Sequence, residues 1–119
     1  MGDRAVVLFE SAEGIAPFAV YFHWAGAEGV RALFDAALTR LAERRNDLAY
    51  FAARFVGIAH EQDADRVTGL GLLAAPTPAQ YADPAYMREY SHGDAGVAVL
   101  NPAEGTLVWV KGTGYGANP

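Results

Sequence analysis

Three histidines, six tyrosines and no cysteine set the chemistry open to this chain of 119 residues. Without a thiol there is no disulfide scaffold, no thiolate zinc site and no cysteine nucleophile, which fits a reducing cytoplasm. His23 is the most informative side chain. It alternates with Tyr21 along an apolar segment, while Phe18, Val20, Phe22 and Trp24 take the opposite, core-facing side. Downstream, His92 follows a stretch that carries Tyr81, Tyr86 and Tyr90. Folded over the strand end at Tyr21, His23 and Trp24, and joined by Arg54, these groups would make an aromatic pocket able to stack on a base and pair with a phosphate. The plainer alternative has Tyr21 and His23 as half-exposed strand residues, with Arg54 tied to Asp47 or Glu61 or stacked on Tyr50. The tyrosines would then either present a contact patch to a protein partner or pin their loop to its own domain.

Other constellations fall short of a motif. His60-Glu61 resembles the first half of a zinc-protease helix motif, but Ala64 stands where the second ligand would be. Asp63-Ala64-Asp65 opens like a calcium loop, yet Val67 takes the next ligand position and no closing Glu follows, so no metal is expected. Ser91-His92-Gly93-Asp94 crowds its would-be triad members too closely for a relay, and reads as a turn. Gly112-Thr113-Gly114-Tyr115-Gly116 lacks the following helix that a phosphate cradle requires. No catalytic set and no cofactor site emerges, and the balance leans away from an enzyme.

The elements that must position these residues are legible from periodicity. Ala5–Phe9 and Phe18–Trp24 read as strands of a hairpin, with Ser11–Pro17 as the loop and Gly26–Gly29 as a turn. From Glu28 the period becomes helical, with Val30, Leu33, Phe34, Ala37, Leu38 and Leu41 on one stripe. Asp47 caps a second helix, Leu48 to about His60, whose stripe is Leu48, Phe51, Ala52, Phe55 and Ile58 and which should be the more buried of the two. A charged turn at Glu61–Arg66 leads to a strand at Val67–Leu73. There Gly69 and Gly71 bare one face for close approach by another element, and the long crossover allows a parallel pairing. Residues 75–95 form a long loop with a turn of helix at Pro84–Tyr90. Gly96–Leu100 and Thr106–Lys111 are two further strands, and residues 112–119 a flexible tail. The expected fold is one α+β domain over 1–119: a single, mostly antiparallel five-stranded sheet in ββααβββ order, with a two-helix hairpin on one face.

Composition narrows the function. Fourteen acidic against nine basic residues give a net charge of -5, which argues against direct nucleic-acid binding. No apolar run approaches the roughly 18 to 20 residues of a membrane helix, and no leader or lipidation pattern opens the chain, so a soluble cytoplasmic protein is expected. The leading reading is a small, acidic, non-enzymatic binding protein acting by protein–protein contact. A nucleotide- or small-molecule-sequestering protein built on the Tyr/His/Arg pocket is the first alternative, and a small enzyme with His23 or His92 as general base the second. Apolar groups on the second sheet face, Tyr21, Val108 and Val110, also allow a homodimer.

Residues Gly2-Asp3-Arg4-Ala5 and Tyr21-Phe22-His23-Trp24-Ala25-Gly26 resemble a small family from phages, prophages and bacteria. Its members open Gly-Asn-Arg-Ala and carry a Tyr-Leu-His-Trp-Asn-Gly-Gly strand. Asp3, Ala25 and Ala27 depart from that pattern. The resemblance implies a phage or mobile-element setting, and with it an inhibitor of a host defence machinery of the CRISPR type, its partner a host or phage protein.

Overall fold

An uninterrupted apolar run such as Ala5–Phe9 suits a strand covered on both faces. In the computed structural model, which describes residues 2–62 and 69–117, that run lies at the centre of the sheet. The elements are β1 (Ala5–Ser11), β2 (Gly14–Phe22), α1 (Gly26–Arg40), α2 (Leu48–Gln62), β3 (Leu70–Ala74), α3 (Pro78–Tyr81), α4 (Pro84–Tyr90), β4 (Gly96–Asn101) and β5 (Thr106–Trp109). They form a five-stranded sheet in the order β3-β2-β1-β4-β5 with α1 and α2 together on one face, the α+β architecture that the periodicities require.

Every pairing is antiparallel except β1 with β4. The parallel pair is therefore not the one the sequence allowed for. Two consecutive helices carry the chain down and back, so β3 starts where β2 ends, Leu70 beside Phe22, and must run antiparallel to it. Only one helical traverse, α4, separates β3 from β4, and it delivers β4 parallel to β1.

Burial follows the alternation of side chains. Ala5, Val7, Phe9, Val20 and Phe22 meet the stripes of α1 and α2, where Phe55 packs edge-on to both Phe9 and Phe22 at ring distances of 5.5 and 6.0 Å. Val6, Leu8, Ala19, Val97 and Val99 face the other way and are covered by Met87 of α4. The second face is thus roofed, not open. Tyr21 and Val110 pack against this smaller core, and of the residues proposed for a face-to-face homodimer only Val108 is freely exposed, at 61%. The two long helices bury five residues each, so α2 is no more buried than α1.

Several boundaries shift for local reasons. The β1–β2 hairpin is tight, with β2 extending back to Gly14 in place of a loop to Pro17. α1 begins at Gly26, at φ 66°, where any Cβ would collide with the Asp3 carboxylate. Asp47 does cap the next turn, accepting from Tyr50 N at 3.2 Å. The stretch read as a frayed tail is docked through residue 117: Thr113 is 4% exposed, and Tyr115 and Gly116 donate backbone bonds to the carbonyls of Asp94 and Ala95. The charged turn falls largely on residues 63–68, and with it Asp63, Asp65 and Val67, outside the described residues. Among the described residues no helix is long and apolar enough to cross a membrane.

Candidate functional site

The start of β1, the end of β2 and the start of β4 meet at one edge of the sheet, here called the upper edge. On its second face Tyr21 is the hub. Its hydroxyl is hydrogen-bonded to His23 Nδ1 at 2.9 Å, and its ring lies 5.0 Å from that of His92. The His23 ring in turn meets the Trp24 ring edge-on at 4.4 Å. Behind it stands Gly2, where a Cβ would fall 2.8 Å from His23 Nε2, while Asp3 N donates to the His23 carbonyl at 2.8 Å. Four of the residues singled out by sequence, Tyr21, His23, Trp24 and His92, therefore come together.

Arg4 and Asp94 join them. Asp94 Oδ2 accepts from both the backbone N (3.0 Å) and Nε (2.9 Å) of Arg4. These bonds, the backbone one foremost, hold the Asp94 carboxyl below the ordinary carboxylate range, and the same contact raises the Arg4 guanidinium. The loop that presents His92 and Asp94 carries left-handed backbone at His92 (φ 64°), Gly93 (φ 85°) and Asp94 (φ 52°). Non-glycine residues there store strain that the surroundings must hold, and such positions gather at functional sites. Ser91 supplies part of the restraint. It is fully buried, donates to the Arg88 carbonyl at 2.7 Å and accepts from Gly93 N at 3.1 Å, so its hydroxyl is committed to the turn rather than to a nucleophilic role.

The docked carboxyl-terminal segment closes this edge. The Tyr115 hydroxyl donates to the Asp3 carboxylate at 2.7 Å and accepts from Ala27 N at 3.2 Å, and burial first, with the Asp3 contact adding to it, raises its pKa above the ordinary tyrosine value. On the helix face of the same edge lies a cleft of about 220 Å³. Phe22, Leu33, Leu70 and Ala59 line it, His60 adds a polar group, and Trp24, 40% exposed, stands on its rim.

The remaining sequence candidates lie elsewhere. Arg54 does not reach the cluster: it sits on the exposed face of α2, on the far side of the sheet, with its guanidinium 5.5 Å over the Tyr50 ring. Tyr50 and Arg54 are one helical turn apart, and that local stack wins over a distant pocket. Tyr86 and Tyr90 stack on each other at 6.0 Å and pack on the second-face core, and Tyr90 donates to the Ala74 carbonyl at 2.7 Å. Burial pushes the Tyr90 hydroxyl up to about 12. Tyr81 is in α3, where burial and the Glu10 charge raise its pKa, placing it toward the opposite end. The tyrosine segment thus roofs the sheet and does not fold over its upper edge.

Sequence reasoning missed Asp3, Arg4, Asp94 and Tyr115 as members of the site. Asp94 next to Gly93 and Gly96 signalled a turn, but nothing in the spacing signalled Arg4, which is separated from it by 90 positions. Among the described residues no group of three or more His, Asp or Glu side chains is arranged to hold a metal. The chain gives no significant match to a protein-family model, a curated protein or a solved structure.

Proposed function

We propose that this is a non-enzymatic binding protein that docks a protein partner through the upper edge. The observation that carries the reading is Trp24, 40% exposed on the rim of an apolar cleft of about 220 Å³. Small-molecule sites usually enclose about 300–1,000 Å³, so this cleft suits a single inserted side chain better than a free ligand. A tryptophan beside such a pocket is the kind of residue on which interface energy concentrates. Long-range charge supports the same reading. Glu10, Glu13 and Asp47 line the opposite, lower end together with Arg45, and the chain as a whole carries a net charge of -5. That field favours approach to a basic partner. The finer role, inhibition of a host defence machinery, is what the resemblance of the first residues and the second strand adds. A nucleotide-sequestering role loses support because its phosphate partner, Arg54, stacks on Tyr50 instead.

Affinity capture from host-cell lysate with the wild-type protein and Trp24→Ala in parallel tests the proposal. We expect a stoichiometric partner on the wild type, held at least about thirtyfold more weakly by the variant, since an interface hot spot is worth about 2 kcal/mol or more. Recovery of no partner, or equal recovery by both proteins, would remove the reading.

A further inference from the structure

We propose that β3 pairs with β3 of a second copy, joining two sheets into one across an antiparallel two-fold contact. β3 is an edge strand whose inner neighbour is β2. His23 N donates to the Gly69 carbonyl and Ala75 N to the Pro17 carbonyl, so odd-numbered residues of this strand bond inward. Leu70, Leu72 and Ala74 consequently turn their backbone N–H and C=O groups outward. Tyr90 occupies the Ala74 carbonyl, and among the described residues no hydrogen bond engages the outward groups of Leu72.

Edge strands are normally guarded by charge, proline or a bulge. The other edge, β5, is flanked by Glu104 and Lys111. On β3 the guards, Tyr90 and Pro76, stand only at the Ala74 end; Leu70-Gly71-Leu72-Leu73-Ala74 itself carries neither charge nor proline, and Leu72 is 71% exposed. The segment is also its own complement. About a two-fold axis through Leu72, the Leu72 side chains of the two copies meet, and Leu73 of each copy comes opposite Gly71 of the other. A Cβ built on Gly71 finds nothing within 4 Å, which leaves room for that leucine. This self-match is why a second copy, rather than an unrelated strand, is the occupant.

Two properties follow. A pair of five-residue strands buries less than the roughly 1,200–2,000 Å² of a stable interface, so the dimer forms only at raised concentration. The contact itself is uncharged while each copy carries -5, so salt screens the repulsion and strengthens association, opposite to an ion-paired interface.

Sedimentation velocity over a wide concentration range, at low and high salt, tests this. The wild type is expected to shift from monomer to dimer, more readily in high salt. Leu72→Pro removes only an outward donor, and Leu72→Lys places a charge on the edge; both should remain monomeric with unchanged far-UV circular dichroism. Should one variant fail to fold, the other decides. A wild type that stays monomeric throughout, or a folded variant that dimerises as the wild type does, overturns the proposal. Because Trp24 is left intact, partner capture by a monomeric Leu72→Lys protein separates this contact from the one proposed above.

Discussion

The two ends of the sheet are built by different means. At the lower end the contacts are local: Glu13 N donates to Ser11 Oγ at 3.2 Å across two positions, and Glu104 N to Asn101 Oδ1 at 3.1 Å across three. At the upper edge they are remote. Arg4 and Asp94 are 90 positions apart, and Tyr115 reaches Asp3 across 112. The lower end is therefore a set of self-sufficient turns presenting charge. The upper edge exists only in the finished fold, where the carboxyl-terminal segment ties the start of β1, the start of α1 and the strained loop before β4 into one unit. A recognition surface made of rings and a cleft needs that fixed geometry; a surface that works by long-range charge does not.

The contrast is broken most severely by Gly114→Ala. A Cβ at that position would overlap the Asp94 carbonyl and its neighbours, so the segment cannot reseat. We expect a loss of about 2–4 kcal/mol in urea unfolding, combining overpacking with the hydrogen bonds lost beside it. Next is Thr113→Val. Thr113 Oγ1 accepts from Val97 N at 3.0 Å and donates to the Val110 carbonyl at 2.6 Å, so the variant strands the buried Val97 N–H, while the Val110 carbonyl keeps its bond from Thr113 N. Its expected cost is about 1–3 kcal/mol. The same measurement on Glu104→Ala at the lower end should stay within about 0.5 kcal/mol of wild type. A comparable loss at both ends would refute the distinction.

The smallest effect concerns pH. Asp94 titrates lower in the folded chain than its usual 3.8, because Arg4 bonds its charged form. Its contribution is thus complete above the unfolded value and is lost as pH falls through the folded one. Melting temperature should drop on acidification below that value, and Asp94→Asn should flatten this acid limb. An identical acid limb in the variant would show that the ion pair carries no linkage.

What could be read from the sequence was whatever depends on near neighbours. The stripe of Val30, Leu33, Phe34 and Ala37, the cap at Asp47 and the alternation through Tyr21 and His23 each rest on a short repeat that water enforces residue by residue. They led to the helix pair, the strands and half of the candidate site. α3, with Thr77 and Gln80 capping each other's backbone, was equally local, but its four residues are too few for a period to show.

Tertiary structure alone decided the rest. Arg54 has aromatic neighbours in sequence and Arg4 has none within four positions, yet only Arg4 reaches the upper edge, because sheet order and not chain order sets who its neighbours are. Periodicity puts the helix pair on one face and leaves the other open, and only the fold shows Met87, Tyr86 and Tyr90 packing there as a second roof. Composition and periodicity determine which side chains avoid water. Where two avoiding surfaces meet depends on the free energy of the whole arrangement, and no local stretch contains it.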